Sequence, residues 1–280
     1  MGVVEVLERG GDGYVPGEGI GAVLLKPLGQ ALIDKDRIYG IIRSSTVNHG
    51  GKTNGFTVPN PDAQAELIQE ALEKGKIQAE SISYIEAHGT GTALGDPIEV
   101  TGLSKAFKEI KDKQSCALGS VKSNIGHLEG AAGIAGLTKL LLQLKHKQLV
   151  PSIHSDTLNS YIDFKETPFY VQRELSHWEP RPGYPRRAGI SSFGAYGVNA
   201  HLIVEEATEY TVSSEQSKSY YLVTLSAKHP DSLERRREDL RTYIKSNPEI
   251  PKTYDYLSFA WGCILRNGLC CRALILSKTD

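Results

Sequence analysis

Two glycine-containing segments each place a histidine between an apolar stretch and a segment typical of a helix. They are YIEAHGTGTALGDPIE (84–99) and SVKSNIGHLEGAAG (120–133), and they present His88 and His127. Apolar stretches of this kind are typical of buried strands, and glycine lets a backbone approach a ligand closely. Ligands of open α/β sheets gather at the carboxyl ends of strands. The duplicated pattern therefore predicts two imidazoles that converge at one edge of a sheet, where paired N–H donors stabilise an enolate.

The chain alternates between predicted strands and helices, which favours an α/β fold. Strands are predicted at 20–28, 37–47, 81–88, 116–123, 169–173, 188–192 and 201–205. The first two are almost continuously apolar, which is typical of strands buried on both faces. Helices are predicted from Asn60-Pro61 to Gly75, from Asp96 onward, and over 126–148. Asp96 and Glu99 form the D-x-x-E pattern of a capping box.

A polar stretch, EATEYTVSSEQSK (206–218), is typical of a linker between domains. After it we predict a strand at 220–225, a charged amphipathic helix at 230–246, a helix at 254–265 and a last strand at 271–277. The charge run of the 230–246 helix is typical of a solvated face. These residues predict a small α+β appendage.

Composition excludes several function classes. The chain has 280 residues, 40% of them hydrophobic, and a formal net charge of −1, which is typical of a soluble globular protein and gives no electrostatic argument for nucleic acid. No apolar run approaches the ~20 residues of a membrane span, and no secretory signal is visible at the start. The four cysteines, Cys116, Cys263, Cys270 and Cys271, form no paired framework. We expect a reduced, cytoplasmic chain with no membrane partner.

Simpler interpretations of the two histidines stay open at this point. A single histidine beside a strand is usually structural, although two in matched loops weaken that interpretation. No C-x-x-C or H-E-x-x-H spacing favours a metal site, and no G-x-G-x-x-G before a helix favours a dinucleotide. None of the cysteines lies at the exposed strand-to-helix turn that suits a nucleophile.

EAHGTGTALGDPIE (86–99) and VKSNIGHLEGAAGIAGLTKLLL (121–142) resemble the two histidine motifs of the β-ketoacyl synthases of modular polyketide synthases. The resemblance extends in register through DGYVPGEGIGAVLLKPL (12–28), TVNHGGKTNGFTVPNPDAQ (46–64), VPSIHSDTLN (150–159) and ISSFGAYGVNAHLIVEE (190–206). It covers about Asp12 to Glu206, and residues 220–280 are similar to the small domain that follows such ketosynthases.

The resemblance implies a thiolase-like layered fold and an acyltransferase of the 3-oxoacyl-[acyl-carrier-protein] synthase type. Such enzymes perform decarboxylative Claisen condensation between carrier-bound acyl and malonyl thioesters. No cofactor is bound directly, because the phosphopantetheine arm of an acyl carrier protein delivers the substrates. By the same resemblance His88 and His127 bind the thioester oxygen and promote malonyl decarboxylation, and Lys122 supports them. The implied contacts to the phosphopantetheine arm and to the loop that gates the acyl channel are Thr90, Thr92, Phe193, Gly194 and Asn199.

Ala195 is a departure that points to a subclass. Many relatives carry a second phenylalanine at this position of the gating loop, and alanine is similar to ketosynthases of systems without built-in acyltransferase domains. A smaller residue implies a roomier channel that admits substituted acyl chains. A separate acyltransferase is then an expected partner.

A second departure concerns the nucleophile. The family's nucleophile is a cysteine in a T-A-C-S-S type turn, upstream of every motif in this chain. We therefore expect an incomplete thiolase-like fold: a remnant of the N-terminal half (1–57), a C-terminal half with both histidine motifs (58–207), a linker (208–219) and the small domain (220–280). The expected partners include the missing ketosynthase half or a homodimer partner.

These departures predict that the chain alone is inactive in condensation and poorly soluble or oligomeric. The expected exposed apolar face is the helix near 128–145 and the strands beside it. Two alternative functions stay open, a non-catalytic partner subunit of a polyketide or fatty-acid synthase and a docking module that acts through 220–280.

Overall fold

A six-stranded mixed sheet organises the first of two compact units, which span 1–208 and 209–280. The structure is a computed structural model that describes residues 4–34, 36–53, 55, 58–207, 220–246, 262–266 and 269–277. The predicted linker at 208–219 lies outside the described residues. Glu206, the first residue of the polar stretch at 206–218, belongs to the first unit, because its carboxylate binds the Arg186 guanidinium at 2.7 Å.

The sheet has the strand order β1-β8-β7-β2-β3-β5. Its strands are β1 (Ile41–His49), β2 (Tyr84–Glu86), β3 (Cys116–Gly119), β5 (Phe169–Val171), β7 (Arg187–Phe193) and β8 (Val198–Glu205). Strands β7, β2, β3 and β5 run parallel, and β8 is antiparallel to both β7 and β1. Two short strands, β4 (Gln148–Leu149) and β6 (Ser176–His177), form a separate antiparallel pair. The α/β fold class is therefore confirmed.

Helices cover the sheet, and each face buries its own apolar core. The helices of this unit are α1 (Leu28–Ile33), α2 (Pro61–Gly75), α3 (Gly95–Ala106), α4 (Lys122–Ile125) and α5 (Ala132–His146). One core joins Ile68 of α2 and Leu103 of α3 to Leu118 of β3, whereas the other joins Leu140 of α5 to Ala117. Because successive strand residues point to opposite faces, neighbours such as Ala117 and Leu118 serve different layers.

The predicted buried strand at 20–28 is wrong. Residues 20–27 form no strand, and the side chain of Ile20 is fully exposed and that of Leu24 is 96% exposed. A buried strand needs neighbours at its edges, and among the described residues this segment has none. The backbone instead runs past α5, where a Cβ at Gly21 would lie 2.7 Å from Ile134.

The prediction for 37–47 is correct in type but wrong in burial and bounds. Strand β1 begins at Ile41, and only alternate residues such as Ser44 and Thr46 are buried. It has one hydrogen-bonded neighbour in the described structure, β8, so it is an edge strand. The alternating burial shows that only one of its faces is covered. The outward side chain of Val47 is 68% exposed.

The expected uncovered helix near 128–145 is also wrong in large part. Helix α5 buries Leu137, Leu140 and Leu144 beneath the sheet. Exposed apolar side chains are instead concentrated in the segment before β1, at Ile20, Val23, Leu24, Leu25, Leu28 and Ile33. Glycine and alanine in the first half of α5 give it close contact with the sheet, which is why the helix is covered.

Helix α2 confirms the prediction of its start. The Asn60 side chain accepts hydrogen bonds from the N–H groups of Asp62 and Ala63, and Pro61 occupies the first helical position. At the other end Gly75 is the last helical residue, and Lys76 adopts the left-handed conformation that ends the helix. The long helix predicted over 126–148 is shorter, because a 3₁₀ turn (Glu129–Ala131) precedes α5.

The described residues of the second unit form a three-stranded antiparallel sheet of order β10-β11-β9 and one helix. Its elements are β9 (Tyr220–Ala227), α6 (Pro230–Ser246), β10 (Gly262–Arg266) and β11 (Leu269–Ser277). The predicted α+β appendage, the helix at 230–246 and the last strand are confirmed. The predicted helix at 254–265 is wrong at 262–265, since these residues pair with β11 as β10. Residues 254–261 lie outside the described residues.

Candidate active site

Strands β2 and β3 bring the two histidine loops together. The strands are parallel neighbours, with Tyr84 opposite Ala117 and Glu86 opposite Gly119. Two residues after β2 comes His88, and eight residues after β3 comes His127. Because both strands end at the same edge of the sheet, the two loops meet there. The ring centroids lie 5.5 Å apart, with the ring planes at 81°.

The main chain orients the His88 ring. The N–H group of Phe193, the last residue of β7, donates to His88 Nδ1 at 3.3 Å. An Nδ1 atom that accepts cannot carry the proton of a neutral ring, so the proton is on Nε2. Burial lowers the pKa of His88 well below its usual value, and the charge of Lys122 adds to this effect. His88 is therefore a neutral Nε2–H donor near pH 7.

A different part of the chain orients His127 in the same way. The N–H group of Glu129 donates to His127 Nδ1 at 2.9 Å. Burial lowers the pKa of His127, the charge of Lys122 lowers it further, and the carboxylate of Glu129 opposes the change. His127 is therefore a second neutral Nε2–H donor. Two such donors at one point can stabilise negative charge that develops on an oxygen.

An N-terminal segment holds the His127 backbone. The His127 N–H donates to Val15 O at 2.9 Å, and the Gly17 N–H donates to His127 O at 2.9 Å. A Cβ at Gly17 would lie 2.6 Å from Ile125 O, so only glycine allows this approach. The Tyr14 ring lies 4.8 Å from the His127 ring. Our sequence analysis did not assign these residues to the site, although the dense glycines of GGDGYVPGEGIG (10–21) are a signal of close backbone contact.

Lys122 lies in the turn that follows β3, and its side chain is only 4% exposed. Burial lowers its pKa, and the carboxylates of Glu86, Glu99 and Asp96 oppose this change. A cation at this depth lowers the pKa of both imidazoles, as described above, and so keeps them neutral. Lys122 therefore adds to the effect of burial, which is the larger cause of the lowered pKa of each imidazole.

Glu86 holds the turn that carries Lys122. Its carboxylate accepts the Val121 N–H at 2.6 Å, the Tyr84 hydroxyl at 2.5 Å and the Lys139 ammonium at 2.8 Å. Glu86 and Lys139 are 2% and 8% exposed, so this is a buried ion pair. This role is not predictable from the sequence, because the spacing of Glu86 and Lys139 in the chain gives no sign of their contact.

The predicted capping box at Asp96 and Glu99 is wrong. Helix α3 begins at Gly95, its N-cap is Leu94, and that residue makes no side-chain cap. Glu99 instead accepts the N–H groups of His88 and Gly89 at 2.7 and 2.8 Å. The Glu99 carboxylate therefore binds the loop before the helix. The D-x-x-E pattern resembles a helix cap, but its glutamate binds a loop.

Asp96 binds the same loop farther along and an N-terminal residue as well. It accepts the N–H groups of Thr90 and Gly91 at 3.2 Å each and that of Leu7 at 2.8 Å. Burial raises the pKa of Asp96 to about 6 and that of Glu99 to about 7, against the opposing effect of these backbone hydrogen bonds. The loop that presents His88 is therefore fixed by two carboxyls that lie behind it.

The two threonines of this loop contact each other. Their hydroxyl oxygens lie 3.3 Å apart, and Thr92 also accepts the Gly95 N–H at 3.0 Å. Both side chains are only partly buried, so one face of this loop is open to a ligand. The structure thus places Thr90 and Thr92 two and four residues from His88 on one continuous loop.

The remaining predicted site residues lie where β7 turns into β8. The Phe193 ring is 5.5 Å from the His88 ring, so Phe193 belongs to the histidine cluster. Gly194 begins the turn and donates to Val198 O at 2.7 Å. Asn199 is opposite Phe193 in the ladder, and its buried amide donates to Asn48 Oδ1 on β1 at 3.1 Å. The Asn199 side chain thus contacts β1.

Comparison with known proteins gives the family. Residues 39–156 match the model of the beta-ketoacyl synthase, C-terminal domain, and residues 159–260 match that of the ketoacyl-synthetase C-terminal extension. The chain belongs to the β-ketoacyl synthase family, and it carries the C-terminal part of a thiolase-like ketosynthase domain together with its extension. The resemblance inferred from the histidine motifs is confirmed.

The curated relatives of the chain include polyketide synthases. The chain is 54% identical over 264 residues to polyketide synthase PksL and 56% identical over 241 residues to polyketide synthase PksM, both of Bacillus subtilis (strain 168). These matches cover 88% and 84% of the chain and 6% of each relative. The chain therefore spans a small part of the curated proteins that it matches.

Two solved structures show the same fold. The oxazolomycin ketosynthase domain OzmH KS7 of Streptomyces albus JA3453 superposes with a TM-score of 0.83 at 46% identity, covering 89% of this chain and 44% of that one. The ketosynthase from module 6 of the bacillaene synthase of Bacillus subtilis 168 gives 0.80 at 46% identity, covering 89% and 43%. In the described part of this chain, no helix is both long and apolar enough to cross a bilayer.

Proposed function

We propose that the chain is the ketosynthase portion of a polyketide synthase that supplies the decarboxylation centre for condensation of carrier-bound acyl and malonyl thioesters. The observation that carries this proposal is the pair of neutral Nε2–H donors on His88 and His127, with ring centroids 5.5 Å apart. The thioester oxygen of the malonyl group accepts both N–H groups. Lys122 keeps the two rings neutral and favours the negative charge that follows.

The proposed reaction has two steps. The bond between the malonyl carboxylate and the α-carbon breaks, CO₂ leaves, and its electron pair forms an enolate whose oxygen charge is stabilised by the two imidazoles. The enolate carbon then attacks the carbonyl of an acyl group held as a thioester. The new carbon–carbon bond forms, the carbon–sulfur bond breaks, and the sulfur departs as a thiolate. In this proposal Thr90 and Thr92 contact the phosphopantetheine arm, and Phe193, Gly194 and Asn199 line the acyl channel.

We propose that the thiolate does not come from this chain. Cys116 lies in β3, and burial raises the pKa of its thiol to about 12, which suppresses the thiolate. The other three cysteines belong to β10 and β11 of the second unit. Condensation then requires a partner, the other half of a ketosynthase domain or a second copy, in addition to an acyl carrier protein.

The proposed domain organisation is a remnant at 1–57, the C-terminal thiolase-like half at 58–207, a linker at 208–219 and the small domain at 220–280. The proposed subclass is that of synthases without integrated acyltransferase domains, which work with a separate acyltransferase. Ala195 supports it, since alanine in the turn after Phe193 leaves more room than a second phenylalanine. The cytoplasmic location stays a prediction.

The test is decarboxylation of a malonyl-carrier protein by the 280-residue chain, followed by mass spectrometry of the carrier. We expect slow conversion to the acetyl form, and we expect His88→Ala or His127→Ala to lower the rate toward background, since loss of one oxyanion donor costs about 100-fold or more. His177→Ala, an exposed histidine on β6, is the matched control and should leave the rate unchanged.

Two outcomes would contradict the proposal. Equal rates for wild type and both site variants would show that His88 and His127 do not form a decarboxylation centre. Capture of a carrier protein by residues 220–280 alone would then favour the alternative function, a docking module. Transfer of an acyl group to any of the four cysteines, seen by intact mass spectrometry, would contradict the proposal that the thiolate does not come from this chain.

A further inference from the structure

The turn between β7 and β8 sits directly beside His88. Its own hydrogen bonds run from Gly194 N to Val198 O at 2.7 Å and from Gly197 N to Gly194 O at 3.0 Å. The turn begins at Phe193, whose N–H sets the proton position of His88. Gly194, Ala195 and Tyr196 are exposed, and exposed turns are among the more mobile parts of a fold.

The end of β1 binds this turn from outside. His49 Nε2 lies 3.0 Å from Tyr196 O, and the Gly50 N–H donates to Gly197 O at 2.7 Å. The Gly51 N–H donates to His49 Nδ1 at 3.0 Å, so the proton of the neutral ring is on Nε2 and points to the Tyr196 carbonyl. Two successive carbonyls of the turn are thus held by two successive residues of β1 and the loop after it.

The fit between the His49 ring and the turn depends on glycine. Gly197 has a φ of +87°, and a Cβ built on it would lie 2.9 Å from His49 Cε1. The imidazole therefore lies directly against the backbone of the turn. The same end of β1 is anchored in turn, because the Asn60 side chain that caps α2 donates to Gly50 O at 2.7 Å.

We propose that His49 is a positioning residue for the site: its Nε2–H fixes the Phe193–Val198 turn and through it the Phe193 N–H that holds the His88 proton on Nε2. Loss of this donor frees the turn, lengthens the contact at His88 Nδ1 and lets the His88 proton move between the two ring nitrogens. The catalytic consequence rests on the proposed function, whereas the positioning itself is read without any substrate.

Hydrogen exchange of the 280-residue chain tests the first link. His49→Ala and His49→Phe both remove the donor, and the phenyl ring keeps the flat packing against Gly197 if the alanine variant fails to fold. His49→Gln supplies a side-chain N–H at a similar distance. We expect amide exchange within 193–198 to be roughly fivefold faster in the alanine and phenylalanine variants, the net worth of one hydrogen bond, and near wild type in the glutamine variant.

The second link is read from ¹⁵N chemical shifts of the ring nitrogens in histidine-labelled chain. We expect a pure Nε2–H form of His88 in wild type and His49→Gln, and a mixture with the Nδ1–H form in His49→Ala and His49→Phe. His177→Ala again serves as the control. Unchanged exchange and unchanged His88 shifts in the folded phenylalanine variant would overturn the proposal, as would a glutamine variant as mobile as the phenylalanine one. Failure of the decarboxylation assay alone would count against the proposed function only.

Discussion

Asp96 and Glu99 show how one pair of carboxyls can determine the shape of a loop. Both accept main-chain N–H groups of the loop that carries His88, and both are almost fully buried. Burial of a carboxylate costs free energy that these hydrogen bonds only partly offset, which is why the pKa of each group is raised. The loop geometry is therefore maintained at a cost to stability that depends on pH.

The sign of this dependence follows from linkage. Burial raises the pKa of Glu99 from 4.5 to about 7, so the folded chain binds more protons than the unfolded chain between these values. Its contribution to stability is full below pH 4.5 and is lost as pH rises toward 7. We expect the free energy of unfolding of Glu99→Gln, minus that of wild type, to increase across this window by at most about 1.4 kcal/mol per pH unit.

Urea unfolding at several pH values measures this difference. His201 provides a contrast, because burial lowers its pKa to about 3 and its own contribution is lost as pH falls below 6.5. Comparison of the variant with wild type at each pH removes that common background. A difference that does not change between pH 4.5 and 7 would show that Glu99 titrates as an exposed carboxyl.

The Glu86–Lys139 pair gives a second prediction for single residues. Glu86→Gln removes the counter-charge of a buried ammonium, and breaking a buried ion pair on one side costs about 3–5 kcal/mol. The double variant Glu86→Gln with Lys139→Met removes the charge as well, so we expect it to recover part of this loss. Urea unfolding of the four chains of this cycle measures the coupling, and a coupling near zero would contradict a direct ion pair.

Helix α2 is the element whose start is most clearly encoded. Asn60 caps it with two main-chain contacts, and the same side chain reaches Gly50 O on the loop after β1. We expect Asn60→Ala to lower stability by about 1 kcal/mol from the cap, and somewhat more from the lost contact with Gly50. Asn60→Asp keeps the cap and loses only the second contact, so an aspartate variant as unstable as the alanine variant would argue against capping.

Local signals predicted α2, α6 and the central strands, whereas burial was mispredicted where it depends on distant neighbours. An apolar run such as 20–28 resembles a buried strand, but the identity of its neighbours is a tertiary property that a local pattern does not contain. Strand β1 is covered on one face only for the same reason, because what packs on each face of a strand is also a tertiary property. The helix predicted at 254–265 failed at 262–265 because pairing with β11 outweighs helical periodicity there.

Of the candidate site, the two histidines could be predicted from local patterns, whereas the contacts that orient them could not. His88 and His127 could be predicted because each follows a strand in a strand–loop–helix segment, and the two strands, β2 and β3, are neighbours both along the chain and in the sheet. The Phe193 N–H that orients His88, and the Val15 and Gly17 main chain that holds the His127 loop, come from distant parts of the chain. The glycines of 10–21 signal close backbone contact, but the residue types do not show which main-chain group binds each ring.

At the scale of the whole molecule, the exposed apolar segment before β1 dominates expected behaviour in solution. Ile20, Leu24 and Leu25 are 100%, 96% and 69% exposed. Contiguous apolar surface of this kind favours association. We expect the 280-residue chain to self-associate, and Leu24→Lys with Leu25→Lys to shift it toward monomer in size-exclusion chromatography with light scattering.

The control for this prediction is Tyr161→Lys, which changes an exposed aromatic residue elsewhere on the first unit. It should leave the association state of the wild type unchanged. A wild-type chain that is monomeric at every concentration would show that the exposed segment is not an association surface. Association that persists equally in the Leu24 and Leu25 double variant would show that another surface is responsible, and the open edge of β1 would be the next candidate.

The partners of the two Nδ1 atoms have a consequence for how this site can be probed. Both are main-chain amides, of Phe193 and Glu129, and every side-chain replacement except proline leaves an amide in place. Alanine substitution of Phe193 or Glu129 themselves therefore leaves in place the N–H groups that orient the two rings. Replacing either amide by an ester through chemical synthesis deletes the donor and keeps the side chain. Other side chains at these two positions keep the same amides, so residue identity there can vary while both imidazoles keep their orientation.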